Sequence, residues 1–240
     1  PFSFDASIWE FFVPLLTGAQ VVMAKPGGHK DSRYLAMMIA DHQVTILQLV
    51  PSMLQIVLED SAIRECKSLR RVLCGGEALP GDLQQRFFER VNVELVNLYG
   101  PTETAIDASS WRCERESRDG VVPIGKPLGN MQVRIMDSRS RLTPVGVPGE
   151  LHIGGIGLAR GYLHRVETTA EKFIPDPFSQ KPGARLYRSG DLARYRLDGS
   201  LEFLGRIDHQ VKIRGFRIEL GEIETTLTQY AECREAAVIA

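Results

Sequence analysis

The sequence predicts an α/β fold made of a parallel α/β unit, a β-rich, barrel-like unit and the start of a small α+β unit. As far as about residue 98, short apolar runs alternate with amphipathic segments of helical period. Such alternation favours a mostly parallel sheet with helices on both faces. After Trp111 the pattern changes to short strands between Gly and Pro turns, and it changes again near Asp208. We therefore divide the chain into residues 1–115 and 116–207, which together form a large core, and residues 208–240.

The elements of the first unit follow from the spacing of its apolar residues. The first segment is amphipathic, with Asp5 and Ser7 as candidate N-cap residues. Pro80 suits the first turn of the helix that begins there. Helices are predicted at residues 4–16, 32–41, 51–58 and 80–90, and strands at residues 20–23, 44–49, 71–74 and 93–98.

The later units contain shorter elements. Turns rich in Gly and Pro separate the strands of the second unit, and Gly215 separates two strands of the third. In the second unit we predict strands at residues 132–136, 149–154, 185–187 and 194–196; in the third, strands at 210–213, 216–218 and 236–240 and a helix at 221–229.

Composition excludes several classes of function. The net charge is −1, which argues against nucleic-acid binding through a basic surface. The longest apolar stretches, residues 8–16 and 44–50, are too short to cross a membrane. The four cysteines show no CxxC spacing and no paired histidines, so we expect reduced thiols in a cytoplasmic protein.

The two ends of the sequence suggest a piece of a longer polypeptide. The chain begins at Pro1 with no Met and no leader segment, and it stops inside an apolar run that resembles the beginning of a buried strand. We expect further chain on both sides.

The first chemically suggestive motif is Asn-Leu-Tyr-Gly-Pro-Thr-Glu at residues 97–103. Ligands of open α/β sheets bind beyond the carboxyl ends of strands, where this motif is predicted to lie. Tyr99 offers a flat face for a base, Thr102 a hydroxyl for a phosphate oxygen, and Glu103 a hard oxygen ligand for magnesium. Taken alone, a Gly-Pro turn with polar neighbours is usually just an ordinary turn.

Two further motifs lie in the β-rich unit. The glycines of residues 149–162 suit a strand that bends or bulges, and no βαβ unit accompanies them to make a dinucleotide fingerprint. In residues 187–192, Asp191 follows a glycine at a predicted strand end. Its carboxylate could accept two hydrogen bonds from a ribose diol, although an isolated Ser-Gly-Asp sequence is more often a plain turn.

A basic stretch follows at residues 205–224. It contains Arg206, Lys212, Arg214 and Arg217 within a short span. A nucleic-acid stripe is one interpretation, but alternating apolar residues and interspersed acids argue against it. The other interpretation is an amphipathic hairpin with solvated charges.

Taken together, the motifs of residues 4–7, 97–103, 149–163, 187–192 and 205–224 resemble, in order, those of the adenylate-forming (AMP-binding) enzyme superfamily. The resemblance covers essentially the whole chain and is strongest to amino-acid adenylation domains of nonribosomal peptide synthetases. It implies a partial adenylate-forming fold. It also implies use of ATP and Mg²⁺ to activate an amino acid, and transfer of the acyl group to a carrier-bound phosphopantetheine thiol.

The resemblance assigns the nucleotide site to the first unit and the strands that follow. Tyr99 would stack on adenine beside Asn97. Thr102 would contact phosphate and Glu103 would bind Mg²⁺, which makes these two the candidate catalytic residues.

The same resemblance assigns roles around the ribose and the inter-unit boundary. Asp191 would hold the ribose hydroxyls with help from Arg206, and Phe203 would pack nearby where the family commonly has Tyr. Asp208 would be the hinge about which the small unit rotates between two half-reactions. Gly215 would lie near the entry path of the thiol.

The substrate pocket, again by resemblance, has Asp5 as the partner of the α-ammonium group; helix capping is the alternative role for this residue. Gln48 and Asp107 are the other polar groups of the pocket. Because buried amides and carboxylates require partners, they favour glutamine, with glutamate as the runner-up. The full lining would be Asp5, Ala6, Trp9, Gln48, Leu73, Gly75, Leu98, Ile106 and Asp107.

Two family features fall outside the sequence: a phosphate-gripping loop upstream and an adenylation lysine downstream. We therefore expect the chain alone to be inactive. Peptidyl carrier and condensation domains are the implied partners, with neither nucleic acid nor membrane. An acyl- or aryl-CoA ligase, or a non-catalytic scaffold segment, remain alternatives.

Overall fold

The computed structural model describes residues 2–117, 120–208, 210–213, 215–230 and 232–239. Its first sheet has five strands in the order β1-β2-β3-β4-β5. The first three strands pair in parallel, and the last two add in antiparallel fashion. The helices and strands of this unit are α1 (Ala6–Thr17), α2 (Ser32–Asp41), β1 (Ile46–Leu49), α3 (Pro51–Glu59), β2 (Arg71–Gly75), α4 (Gly81–Arg90), β3 (Glu94–Tyr99), β4 (Ser109–Arg112) and β5 (Lys126–Pro127).

The larger hydrophobic core packs α2, α3 and α4 against this sheet. Leu54 and Leu58 of α3 and Phe87 of α4 are fully buried against Val72 and Leu95, which lie on neighbouring parallel strands. Burial of a large apolar side chain stabilises the fold by about 1.5–3 kcal/mol. The core therefore fixes the carboxyl ends of the parallel strands, where the site lies.

The second sheet is antiparallel, with strand order β10-β9-β7-β6 and β8 added beside β9. Gly149 opens its central strand against the carbonyl of Met136, to which an added Cβ would come within 2.6 Å. Its elements are β6 (Met131–Met136), β7 (Gly149–Gly155), α5 (Val166–Lys172), β8 (Phe173–Pro175), β9 (Arg185–Tyr195) and β10 (Leu201–Arg206).

A two-stranded antiparallel hairpin follows, formed by β11 (Val211–Ile213) and β12 (Phe216–Ile218), and α6 (Leu220–Leu227) comes after it. Gly215 lies in the turn with φ +78°, a conformation that favours glycine. Among the described residues, no helix has the length and apolar character needed to span a membrane.

The α/β fold with a curled β-rich part is confirmed, and most predicted elements occur within a few residues of their expected bounds. Three of the strand predictions are wrong. Residues 20–23 form no strand, because nothing in the described chain pairs with them. Residues 236–239 form no strand either, and Ala240 lies outside the described residues. The segments 185–187 and 194–196 are parts of one strand, β9, which continues through Gly190.

The predicted strand end at Asp191 is therefore also wrong, since Asp191 lies inside β9 and pairs with Arg206 of β10.

Capping of α1 is not the role of Asp5. Asp5 occupies the N-cap position but makes no side-chain capping bond, and Ser7 lies inside the helix. The division at residues 115, 207 and 208 remains a prediction.

Candidate functional site

One cleft lies where the three units meet, at the carboxyl ends of the parallel strands. Gln48 of β1, Gly75 at the end of β2 and Gly100 after β3 line one side, while β9, β10 and the β11–β12 hairpin line the other. Nine of the residues predicted from sequence line this cleft together: Asp5, Ala6, Gln48, Gly75, Thr102, Ile106, Asp107, Asp191 and Arg206.

Two carboxylates face the part of the cleft that adjoins α1. The Asp5 carboxylate accepts a hydrogen bond from the Thr102 hydroxyl at 2.5 Å, so the first turn of α1 is tied to the loop after β3. Burial, together with the nearby Asp5, raises the pKa of Asp107 to about 6. Asp107 is therefore the carboxyl group in this region whose charge changes near neutral pH.

Two buried polar atoms of the same region have no partner within the described chain. They are Gln48 Oε1 and Trp9 Nε1. An unsatisfied buried polar atom costs about 1–3 kcal/mol, so each of these groups would gain from a ligand of complementary polarity. Trp9 itself does not line the cleft.

The first sheet places the remaining predicted pocket residues opposite one another on neighbouring strands. Gln48 is paired with Leu73 across β1 and β2, and Gly75 is paired with Leu98 across β2 and β3. A Cβ on Gly75 would lie 2.9 Å from the Leu98 carbonyl oxygen, so this position requires glycine. Leu73 and Leu98 lie beside the cleft lining without belonging to it.

A network of hydrogen bonds and ion pairs joins the residues predicted to bind nucleotide. The Tyr99 hydroxyl donates to one oxygen of Asp191, and Arg206 donates to the other at 2.8 Å. Arg206 also makes a two-point contact with the predicted hinge residue Asp208, at 2.8 and 2.5 Å. Tyr99, Asp191 and Arg206 therefore form one unit, although Tyr99 lies 92 residues before Asp191 in the sequence.

The aromatic residues of this network are buried or half-buried and do not open onto the cleft. The Tyr99 ring is buried beside Phe203, with ring centroids 6.5 Å apart. Burial, and to a lesser extent the negative charge of Asp191, raises the pKa of the Tyr99 hydroxyl well above its ordinary value. Asn97 is buried below it and donates to the Pro123 carbonyl oxygen at 2.8 Å, while its own Oδ1 has no partner in the described chain. Tyr99, Asn97 and Phe203 line no part of the open cleft.

Glu103, the predicted magnesium ligand, is engaged by protein groups. Arg217 donates to both of its oxygens at 2.9 and 2.8 Å, and the Tyr162 hydroxyl donates at 2.6 Å. Burial alone would raise the pKa of the Glu103 carboxyl, but the Tyr162 hydrogen bond and the Arg217 charge outweigh burial and lower it.

The donor set can be tested against magnesium chemistry. Within the described residues, no group of three or more His, Cys, Asp or Glu side chains could hold a metal. Mg²⁺, however, is commonly held by one or two carboxylates together with substrate phosphates. Glu103 fits that pattern once Arg217 has moved away from it.

Several residues of the site carried no assigned role in the sequence. Lys212 and Arg217 line the cleft from the hairpin, and Tyr162 reaches Glu103 from the loop after β7. The basic stretch at residues 205–224 was the available signal for the first two. Tyr162 closes a glycine-rich segment, and its role depends on a contact across 59 residues.

The fold and the cleft define an α/β protein whose acidic and arginine side chains converge on one cleft from distant parts of the chain. A family model described as AMP-binding enzyme matches residues 1–163. The chain belongs to this AMP-binding enzyme family.

Relatives of known identity support this assignment. The chain is 53% identical over its full length to tyrocidine synthase 3 of Brevibacillus parabrevis, of which it spans 4%. It also matches the structure of PA1221, an NRPS (nonribosomal peptide synthetase) protein containing adenylation and PCP domains, with 29% identity, a TM-score of 0.83, and coverage of 95% of this chain and 46% of that one. The adenylation domain AlmE of Vibrio cholerae, in complex with glycyl-adenosine-5'-phosphate, matches with 32% identity, a TM-score of 0.84, and coverage of 98% and 44%.

Proposed function

We propose that this chain, within a longer polypeptide, uses ATP to activate an amino acid as an aminoacyl-AMP and passes the acyl group to a carrier-bound thiol. Glutamine is the proposed amino acid, and glutamate is the runner-up. The observation that carries the proposal is a shared cleft. Asp5, Gln48 and Asp107 line it together with Asp191 and Arg206, so an amino acid and a nucleotide could meet there.

The amino-acid part of the proposal rests on charge and unsatisfied polarity. Asp5 accepts a hydrogen bond from Thr102 in the loop after β3, and it would exchange this bond for the α-ammonium group of the substrate. The NH2 of an amide side chain could donate one hydrogen bond to Gln48 Oε1 and one to the ionised Asp107 carboxylate. A purely apolar side chain would leave both protein groups unpaired.

The nucleotide part rests on the Tyr99, Asp191 and Arg206 unit. Asp191 would accept hydrogen bonds from the ribose hydroxyls while Arg206 holds its orientation, and Tyr99 and Phe203 would provide the aromatic wall near the base. Thr102 would turn its hydroxyl from Asp5 towards a phosphate oxygen.

Magnesium would supply charge neutralisation on the phosphates when it is bound. Glu103 would be its ligand from this chain, after its ion pair with Arg217 has opened. Fixed charges of this kind stabilise negative charge as it builds in the transition state.

The partners proposed are a peptidyl carrier domain with its phosphopantetheine thiol and a condensation domain, in the cytoplasm. A neighbouring structure that combines adenylation and PCP domains supports the carrier, since it contains a segment of this fold and a carrier together. Rotation about Asp208 would alternate the two half-reactions.

The test is amino-acid-dependent ATP–pyrophosphate exchange by the full-length protein, screened over the twenty common amino acids and a fatty acid. We expect glutamine to give the highest kcat/KM, followed by glutamate. Exchange with an apolar amino acid and none with either of these would refute the pocket assignment. Exchange dependent on the fatty acid alone would instead favour an acyl-CoA ligase.

A further inference from the structure

The turn of the β11–β12 hairpin touches the large core at a residue that has no role in the site described above. The Gly215 backbone N–H donates to Glu77 Oε1 at 2.6 Å, across 138 residues of sequence. Glu77 follows β2 after Gly75 and Gly76, so it projects from the loop beside the cleft. The contact places the hairpin turn at the carboxyl ends of the parallel strands.

The same carboxylate also holds the first turn of α3. Glu77 Oε2 accepts from the Ser52 backbone N–H at 3.0 Å, and Oε1 accepts from the Ser52 hydroxyl at 3.3 Å. The N-cap residue of α3, Val50, offers no side-chain acceptor, so Glu77 satisfies a donor that the helix leaves unpaired. One half-buried carboxylate thus links the sheet, a helix start and the hairpin.

The fit between the turn and this surface is close. With φ +78°, Gly215 presents its backbone directly to the core, and an added Cβ would lie 3.0 Å from Val50 Cγ1. Backbone hydrogen bonds to a charged acceptor are stronger than neutral ones. Val50, Ser52 and Glu77 therefore form a docking surface for the hairpin turn.

The docked hairpin also engages Glu103. Its strand β12 carries Arg217, which donates to both oxygens of the carboxylate proposed to bind Mg²⁺. The docked arrangement and a metal on Glu103 exclude each other, because they require the same oxygens. Docking at Glu77 is therefore compatible with the step after magnesium and pyrophosphate have left.

We propose that Glu77 is a positioning residue for the thiol-transfer half-reaction, which it serves by docking the hairpin turn through Gly215. The proposal rests on the function proposed above. Glu77 contacts neither the predicted nucleotide groups nor the predicted amino-acid groups, so the adenylation half-reaction does not depend on it.

The experiment compares the two half-reactions in the full-length protein. In Glu77→Ala we expect loading of the carrier to fall about tenfold or more, since a charge-assisted hydrogen bond is lost, while ATP–pyrophosphate exchange stays within about twofold. Glu77→Gln keeps an acceptor oxygen without the charge, and its loading rate should fall between those of Glu77→Ala and the wild type. Glu89→Ala, which removes an exposed carboxylate on α4, is the matched control and should leave both rates unchanged.

A second readout follows the docking itself. Hydrogen–deuterium exchange of residues 211–213 and 215–218 should become faster in Glu77→Ala and remain at the wild-type rate in Glu89→Ala. Equal losses in both half-reactions would show a general structural role and overturn the proposal. Unchanged loading with unchanged hydrogen exchange would overturn it as well. If Glu77→Ala fails to fold, the same criteria apply to Glu77→Gln, which is nearly isosteric.

Failure of the proposed function gives a different pattern. In that case the wild-type protein itself shows no amino-acid-dependent pyrophosphate exchange, whichever residue stands at position 77. If the wild type performs both half-reactions while the Glu77 variants lose both in parallel, only the positioning role fails.

Discussion

The two halves of the cleft differ in how their polar groups are paired. On the side proposed to bind the amino acid (the amino-acid side), Gln48 Oε1 has no partner within the described chain, and burial and the nearby Asp5 raise the pKa of Asp107. On the side proposed to bind the nucleotide (the nucleotide side), Asp191 in the lining and Glu103 beside it are both paired with arginines. The first half has a buried polar atom without a partner in the described chain, whereas in the second half the protein's own arginines hold the acidic groups.

The difference determines what a ligand must do. On the amino-acid side, a ligand supplies partners that the protein lacks and recovers about 1–3 kcal/mol for each satisfied group. On the nucleotide side, a ligand must displace or share existing partners, because Tyr99 and Arg206 already contact Asp191. The amino-acid side should therefore determine mainly which amino acid is selected. On the nucleotide side, ligand binding should be coupled to rearrangement of the protein's own ion pairs.

The largest expected effect comes from removing the charge of Asp5. In Asp5→Asn, the α-ammonium group of the substrate loses its counter-charge in a half-buried position. We expect kcat/KM for amino-acid-dependent pyrophosphate exchange to fall by about a hundredfold or more. Asp41→Asn, at an exposed position at the end of α2, is the control and should behave as wild type. Wild-type kcat/KM in Asp5→Asn would exclude the ammonium role.

The next effect tests the unpaired amide. Gln48→Leu replaces a polar group by an apolar one of similar size. A glutamine substrate then loses a hydrogen-bond partner, whereas an apolar substrate no longer leaves a buried amide of the protein unpaired. We expect the kcat/KM preference for glutamine over leucine to fall about ten- to a hundredfold. Gln55→Leu, exposed on α3, is the matched control. An unchanged preference would remove Gln48 from the specificity pocket.

The fold could be predicted from sequence where local pattern decides the structure. Helix α2 occurs at the predicted residues, and β1, β2 and β3 occur within two residues of their predicted ends, because apolar spacing reports which face is buried. Strand β9 was divided because Gly190 resembles a turn. In the sheet, long-range pairing with β7 and β10 keeps Gly190 within a continuous strand at φ +74°.

The site was predictable as far as residue type and motif order indicate chemistry. The resemblance to adenylation domains, which rests on that order, grouped Asp5, Gln48, Asp107 and Asp191, and these residues do line one cleft. Residue type and motif order gave no indication that Arg217 would occupy the oxygens of Glu103, because that contact joins residues 114 apart in sequence. Side-chain partners across such distances depend on how the units pack, and local spacing carries no information about that packing.

A third prediction uses the pKa of Asp107, which burial and Asp5 raise to about 6. Above pH 6, Asp107 is ionised, so it accepts from the amide of glutamine and repels the carboxylate of glutamate. Below pH 6 it is protonated and can donate to that carboxylate. We expect the glutamine-to-glutamate ratio of kcat/KM to fall about tenfold from pH 7 to pH 5, with a midpoint near pH 6.

The control for this titration is Asp107→Asn, which cannot ionise. Its glutamine-to-glutamate ratio should stay flat over the same pH range. If the wild-type ratio is also flat, or if the variant keeps the same midpoint, another group controls the pH dependence and Asp107 does not contact the substrate side chain.

The smallest expected effect tests the nucleotide side of the cleft through metal affinity. Arg217 and a divalent cation compete for the Glu103 oxygens, so removing the arginine should tighten binding of the cation. Its side chain is 36% exposed, and a pair of this exposure contributes about 1 kcal/mol or less. In Arg217→Ala we therefore expect Mn²⁺, measured by electron paramagnetic resonance with a non-hydrolysable ATP analogue, to bind about three- to fivefold more tightly.

Arg112→Ala, which removes an exposed partner of Glu94, is the control and should leave Mn²⁺ affinity unchanged. Weaker Mn²⁺ binding in Arg217→Ala would mean that the arginine attracts the nucleotide phosphates more than it competes for Glu103, and the contrast between the two sides of the cleft would then no longer hold.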